Sequence, residues 1–534
     1  MPDRPVGAAC GPGAAQAQAT TLPSHGSASG AETKEDSLLQ PPVWLEALLI
    51  SAGLHAFVTA VFGVPHGAPI PQFVLLAASD MVLIALTCVP LVAIRRGLLA
   101  WHDPLAYLGM LFFLSSATFY SVYLFDASFM PGYVSFLGYN FSGASQAAVL
   151  GVFIRAMLVQ STFIALVIVF NRRPLNPTYV RAGRGDEAYG LAVAGAVLVA
   201  LGAFGVLKLR ATPYFGYVID NLGRSLSPPP GLARYILLAG IAAVAVSLFL
   251  VGWLSITAPR QRKLSAWQSL LPAALVTVSV IPGVLVGSRI AVFSTGFAAI
   301  AAMRHFGYTL SRRVLAVLII AILAGGSVVT VLRANPGAES VTTRVISPMS
   351  IAKLSGTRDR IAYLALNVDR IGNTSLVIRQ MDTRGHYLMG RSLIAGWDAL
   401  FSDYGQRLGL LSSDHQPVWT PQQYMEYWRF DQTTGTSPVP PGFAGEFYLD
   451  GGYVGVLLLG AGFAWLFAFL RRRMWRSASV TARWLYVTCL LVVANAVLTQ
   501  SSILAAQLGL TLASVTLVMV LFRLLFRLGR SHPS

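Results

Sequence analysis

Two short stretches of this 534-residue chain concentrate the side chains that do chemistry. The first is Met381-Asp382-Thr383-Arg384-Gly385-His386-Tyr387-Leu388-Met389-Gly390-Arg391-Ser392. A guanidinium fork matches phosphate oxygens bidentately, so Arg384 and Arg391, with Arg379 just upstream, are candidate anion ligands. Imidazole exchanges protons near neutral pH, which makes His386 a candidate general base. The same residues also read as a solvated turn with balancing charges. The second stretch is Ser437-Pro438-Val439-Pro440-Pro441-Gly442-Phe443-Ala444-Gly445-Glu446-Phe447-Tyr448-Leu449-Asp450-Gly451-Gly452-Tyr453. Its prolines and glycines set a fixed re-entry into a following apolar run. Glu446 then falls at the mouth of that run as a second proton acceptor, with Tyr448 two residues on; alternatively, Glu446 is a helix-start carboxylate favoured by the dipole. Arg289, in Gly287-Ser288-Arg289, is a cation at the start of an apolar run and reads as an anion ligand or as a snorkelling anchor. Trp397, Trp419, Tyr424, Tyr427, Trp428 and Phe430 offer faces on which sugar C–H surfaces stack, or else form a small core or interfacial belt. There is no Walker-type phosphate loop and no His/Asp/Glu spacing that reads as a metal site, so neither metal nor cofactor is expected.

The elements that must position these residues are membrane helices. The chain is 55% hydrophobic and 11% charged, with mean hydropathy +0.63, against about a quarter charged residues in a soluble domain. Apolar runs near 20 residues long recur, each able to span a ~30 Å hydrocarbon layer as a helix. Continuous runs, rather than short alternating ones, exclude a β-barrel, and backbone groups in lipid must be satisfied within each helix. The pattern predicts an all-α polytopic membrane protein of about twelve spans, with one large, partly helical periplasmic loop between spans nine and ten. Residues 1–42 read as a disordered cytoplasmic tail, 43–332 as spans one to nine, 333–449 as the large loop, and 450–534 as spans ten to twelve with a short cytoplasmic C-terminus. The spans are expected at about 44–63, 73–95, 104–125, 146–170, 187–207, 234–256, 267–287, 290–303, 314–332, 451–470, 482–500 and 503–526.

The net charge of +17 is almost all arginine, since Lys34, Lys208, Lys263 and Lys353 are the only lysines. Much of it flanks apolar runs at alternate connections, as the positive-inside rule places it. That accounts for the basicity without nucleic acid and puts both termini in the cytoplasm and the 333–449 loop outside. The loop itself is balanced, 11 Lys or Arg against 10 Asp or Glu. Cys10 lies in the tail and Cys88 and Cys489 in spans, so no disulfide is available to the loop. Asp80 and Arg155 each fall roughly 10–13 Å inside their spans at 1.5 Å per residue. An isolated charge there costs at least ~2.5 kcal/mol, so the two are expected to pair.

The chain resembles the Wzy-type O-antigen or exopolysaccharide repeat-unit polymerases, a branch of the broad GT-C-like membrane glycosyltransferases related to the O-antigen ligases. The likeness rests on the span plan with a dominant late loop, on Gly287-Ser288-Arg289, and on Pro441 to Gly455. That last stretch is similar to the family's Gly-Glu-aromatic-Tyr-Leu-Asn-Phe-Gly segment, with Asp450-Gly451 in place of Asn-Phe. The resemblance implies a bacterial inner-membrane enzyme that moves a glycan from undecaprenyl pyrophosphate onto a new lipid-linked repeat unit. The Ser-Arg likeness assigns Arg289 to the pyrophosphate, and the implied reaction needs a base, for which Glu446 and His386 are the candidates, so these three are the expected catalytic groups; composition adds Arg384, Arg391, Arg379, Tyr448 and Trp397 as expected substrate contacts. The implied partners are the lipid-linked oligosaccharide and the bilayer; a chain-length regulator and a flippase are protein partners it suggests. The alternatives are an O-antigen ligase acting on lipid A core and a lipid-linked-glycan flippase. A glycosyltransferase using polyprenyl-phosphate sugars would show an acidic pair in the first outer loop, and residues 64–72 hold no carboxylate.

Overall fold

In the computed structural model, residues 37–62, 70–116, 146–173, 185–210, 370–430 and 441–497 are described, with short gaps, along with parts of 245–257, 300–321 and 512–524. The described residues are all-helical. Ten helices are bounded: α1 Pro41–Phe62, α2 Ile70–Arg95, α3 Pro104–Ser116, α4 Gln146–Phe170, α5 Gly185–Arg210, α6 Ile371–Arg384, α7 Arg391–Arg407, α8 Pro421–Phe430, α9 Gly442–Arg476 and α10 Val480–Ala496. Among the described residues, four stretches are long and apolar enough to cross a membrane, Val74–Arg95, Ala148–Phe170, Glu187–Gly205 and Gly442–Arg476. The expected spans at 44–63, 73–95, 146–170 and 187–207 coincide with α1, α2, α4 and α5 to within a few residues. Most residues of the expected sixth to ninth and twelfth spans lie outside the described residues.

Polar contacts tie the arginine-flanked connections together at one end of the bundle. Glu46 accepts from Arg95 at 2.6 Å and from Arg96 at 2.8 Å. The Leu38 N–H donates to the Arg172 carbonyl at 2.8 Å, and the Ser479 hydroxyl to Glu187 at 2.7 Å. Leu38 is fully buried, so the tail expected through residue 42 gives way to packed chain by Ser37.

A fully buried ion pair is also at this end. Arg471 donates to Asp103 through Nε at 2.8 Å and Nη2 at 2.9 Å, and the Trp475 indole adds a bond of 2.9 Å. Asp103 also caps α3, accepting from the Leu105 N–H at 2.8 Å. Burial pushes the Asp103 carboxyl up, but the Arg471 charge and these hydrogen bonds outweigh it and hold the acid below the usual range.

α9 is two limbs. A straight helix would hold Phe443 and Phe463 roughly 30 Å apart at 1.5 Å per residue, yet their ring centroids are 5.2 Å apart. The break is at Gly451-Gly452, where Gly452 has φ 61 and ψ −146, backbone that only glycine adopts at low cost. Gly455 also sits directly against the Phe447 carbonyl, with no room for a side chain. Residues 442–450 therefore fold back along 453–476, and both limbs pack on Phe163 of α4. The expected start of the tenth span at 451 is the turn of this hairpin. The preceding limb, expected as water-facing loop, is buried throughout. It opens beside the end of α10, with the Phe443 N–H on the Val497 carbonyl at 3.1 Å.

Part of the stretch expected as the 333–449 loop packs into the helical bundle. α6 runs alongside the 442–450 limb: Thr374 bonds back to the Arg370 carbonyl next to Gly445, and further on the Leu388 and Met389 N–H groups donate to the Leu449 and Asp450 carbonyls at 3.1 and 2.9 Å. Ile371 to Ile378 are all buried against this limb and α4, and exposure begins only at Asp382.

Candidate functional site

The exposed ends of α6 and the limb meet at a polar rim, and local sequence explains its shape. Gly385 takes φ 69 and closes α6 with its N–H on the Met381 carbonyl at 2.9 Å, a left-handed cap. Gly390 and Met389 also have positive φ, which bends residues 385–391 into a tight strap. Asp450 holds the strap: its carboxylate accepts from the Gly390 N–H at 3.2 Å, the Ser392 N–H at 3.3 Å and the Ser392 hydroxyl. Asparagine here would offer one acceptor oxygen instead of two, so the acid at the position where the resembled segment has Asn is matched to this strap. Tyr387 lies against Gly452 and edge-on to Tyr448 at 6.2 Å, and Tyr448 is edge-on to Tyr453 at 5.3 Å.

Arg155 of α4 reaches this rim and forms a two-pronged ion pair with Asp382. The expected Asp80–Arg155 pair is therefore not formed. Asp80 instead pairs with His55 of α1 at 3.0 Å. The reason is depth. The α9 turn and the end of α6 bring a carboxylate to the level of Arg155, which spares the arginine a crossing to α2.

Helices α7 and α8 build an aromatic wall beside the strap. α8 starts with Thr420-Pro421-Gln422-Gln423, a capping box with proline in the first turn: the Thr420 N–H donates to Gln423 at 2.7 Å and the Gln423 N–H to the Thr420 hydroxyl at 3.3 Å. Asp398 fixes the approach by accepting from the Val418 N–H at 2.6 Å. Trp419 packs at a tilt against Tyr424 at 5.3 Å and Tyr427 at 5.5 Å, and Tyr424 packs at a tilt against Trp428 at 5.8 Å. The Arg384 guanidinium lies over Tyr427 at 5.8 Å and Trp428 at 5.6 Å. Burial pushes the Tyr424 phenol up, against the opposing charges of Arg391 and Arg384 beside it. The Trp428 indole N–H is buried and without a hydrogen-bond partner among the described residues.

The structure thus brings together Arg384, His386, Arg391 and Tyr448 at one rim. Arg384, His386 and Arg391 are exposed; Arg379 is half-buried on α6, and Tyr448 is buried beneath the strap. Glu446 is not at the outer mouth of a span. It sits in the folded-back limb, four residues or roughly 6 Å below Asp450, fully buried and engaged there. Trp397 belongs to α7, but its side chain, like all of Arg289, lies outside the described residues. Arg155, Asp382 and Asp450 were not expected at the site.

Comparison with protein-family models, curated proteins and solved structures found no match for this chain.

Proposed function

We propose that the chain is a membrane glycosyltransferase that polymerises oligosaccharide repeat units carried on undecaprenyl pyrophosphate, at the periplasmic face of a bacterial inner membrane. One observation carries the reading. Arg384 and Arg391 stand at the rim of an apolar helical bundle without a carboxylate partner among the described residues, beside an aromatic wall. Two uncompensated guanidinium groups suit an anion, and aromatic faces suit sugar rings, so the pair of features suits a phosphorylated glycan at a membrane edge.

In this scheme the bond between the donor's anomeric carbon and the pyrophosphate oxygen breaks, and its electron pair stays on the phosphate. Arg384 and Arg391 stabilise that charge, each charged hydrogen bond contributing about 1.5–3 kcal/mol. The acceptor hydroxyl bonds to the anomeric carbon and gives its proton to His386, the exposed base of the strap. Glu446 is a positioning residue beneath the strap, since it is sealed from the rim. Arg289 keeps the role that the Ser-Arg likeness implies.

The glycan profile of a deletion strain tests the reading. Single repeat units on lipid A, with no longer chains, indicate a polymerase. Absence of any attached glycan with polymer accumulating on the lipid carrier indicates a ligase, and loss of all outward-facing lipid-linked glycan indicates a flippase.

A further inference from the structure

The strap turns an apolar side chain outward at its tip. Met389 is 81% exposed, more than any other large hydrophobic side chain among the described residues. It is also the one non-glycine residue among them with a positive φ, 53. Glycine adopts such backbone freely, as Gly390 does beside it, whereas a residue with a Cβ is strained there. The strap cannot relax the strain. The Met389 N–H donates to the Asp450 carbonyl at 2.9 Å, the Leu388 N–H to the Leu449 carbonyl at 3.1 Å and the Gly390 N–H to the Asp450 carboxylate at 3.2 Å. A pinned, strained backbone that presents methionine to the outside calls for something outside that receives it.

Two helices measure the depth of this tip. Arg155 lies roughly 22 Å along α4 from Phe170, and Tyr453 lies roughly 27 Å along α9 from Arg471, at 1.5 Å per residue. Phe170 and Arg471 are both at the arginine-flanked end of the bundle, so neither height exceeds the ~30 Å of a hydrocarbon layer. The strap is tied to both markers. Asp382, at the end of α6, pairs with Arg155, and Tyr387 lies against Gly452. The strap therefore sits where hydrocarbon gives way to head groups. Its surroundings agree: Tyr387 and Tyr453 are partly exposed at this level, as in an interfacial aromatic belt, and the exposed side chains of the next turn of α9 are Val454, Leu457 and Leu458.

We infer that the strap docks on the bilayer, with Met389 held in the acyl region of the adjoining leaflet and Arg384 and Arg391 at the level of the lipid phosphates. The thioether exchanges water for acyl chains, which offsets the backbone strain; in bulk water the strain would have no return. Methionine is unbranched and flexible, so it fits among disordered chains without a shaped pocket. A lipid-borne phosphate then meets the two arginines from within the leaflet and not from solution. The inference rests on depth and exposure alone and stands apart from the glycosyl-transfer reading.

The test places a nitroxide on Met389→Cys in the full-length chain, with Cys10→Ser, Cys88→Ala and Cys489→Ala removing the native thiols. The protein is reconstituted in vesicles of phosphatidylcholine and phosphatidylglycerol, and Leu458→Cys, on the exposed apolar strip of α9, is the lipid-facing reference. Relaxation of the label by oxygen, which partitions into acyl chains, is compared with relaxation by a water-soluble nickel chelate. The expected result at 389 is the pattern of the reference, with several-fold stronger relaxation by oxygen than by the chelate. A label that the chelate relaxes as strongly as oxygen does overturns the inference. Should the thiol-free background fail to fold, hydroxyl-radical footprinting of the unaltered chain in the same vesicles reads the same point. Protein leaves Met389 open, so protection there comes from lipid: sulfoxide is expected to form several-fold more slowly than in the unfolded chain, and oxidation at the unfolded rate overturns the inference. Neither readout involves glycan transfer, so its failure and the failure of the glycosyl-transfer reading are separate results.

Discussion

Replacing Asp103 by alanine strips three kinds of contact from one buried point. Arg471 loses its bonds to the carboxylate, Trp475 loses its indole acceptor, and α3 loses its cap. Arg471 is almost fully buried, so the change strands a guanidinium without its counter-ion. Breaking a buried pair from one side costs about 3–5 kcal/mol, and a lost cap about 1 kcal/mol more. Asp103→Ala is therefore expected to destabilise the bundle by roughly 4–6 kcal/mol, the sum of those two. Arg471→Met on its own should cost a similar 3–5 kcal/mol or so. The double variant Asp103→Ala/Arg471→Met should be much less than additive, because neither charge is then left unpaired. Reversible unfolding of purified protein in mixed micelles, followed by tryptophan fluorescence, measures all three. The Asp103 carboxyl is held below its usual value, so this stabilisation is fully present above about pH 4. It is lost only as pH falls through the lowered folded value, and the cycle should read the same at pH 6 and at pH 8. Additive single costs, or an Asp103→Ala cost near 1 kcal/mol, would refute the reasoning.

Three other outcomes follow. Burial pushes His305 down to about 3, with the His102 ring and Arg483 acting in the same direction. Unfolding therefore takes up a proton between that value and the ordinary ~6.5, and stability should fall on acidification through this window, by up to about 1.4 kcal/mol per pH unit. His305→Phe should flatten that slope in a pH series of the same unfolding experiment. Gly452→Ala forces a side chain into glycine-only backbone, with the Tyr387 hydroxyl 2.9 Å from the new carbon. It should cost at least ~1–3 kcal/mol and loosen the strap, read as faster proteolysis within residues 385–391. Arg155→Ala should cost only about 1 kcal/mol of stability, because both partners are a third or more exposed; under the proposed function it should nonetheless shorten the polymer, since Asp382 is then free to neutralise Arg384.

Hydropathy made the four membrane-length helices among the described residues legible, because a membrane imposes a one-dimensional rule, about twenty apolar residues per crossing. The Gly451-Gly452 break was legible as a boundary for the same reason. What it bounds was not. Residues 442–450 carry Gly, Glu and Asp among their aromatics and read as loop, yet they are buried, and the Asp450 carboxylate is satisfied by the strap. Pairing was the least legible level. Arg155 and Asp382 are 227 residues apart in the chain and Arg471 and Asp103 are 368 apart, and no local pattern selects a partner over such distances. Arg471 shows how one signal can hide another. It opens an Arg-Arg-Arg run that serves as a topological marker, while its own side chain is buried in an ion pair. Arg384, His386 and Arg391 were legible as a group because a short polar segment between helices has few ways to disperse its side chains.

The most direct test of the glycosyl-transfer reading is chain elongation by the purified protein in proteoliposomes supplied only with an undecaprenyl-pyrophosphate-linked repeat unit. Products longer than one repeat unit, lost in Arg384→Ala/Arg391→Ala while the folded variant still melts like the parent, are the predicted result. A parent protein that leaves every repeat unit unjoined, or a double variant that elongates at the parental rate, would contradict it.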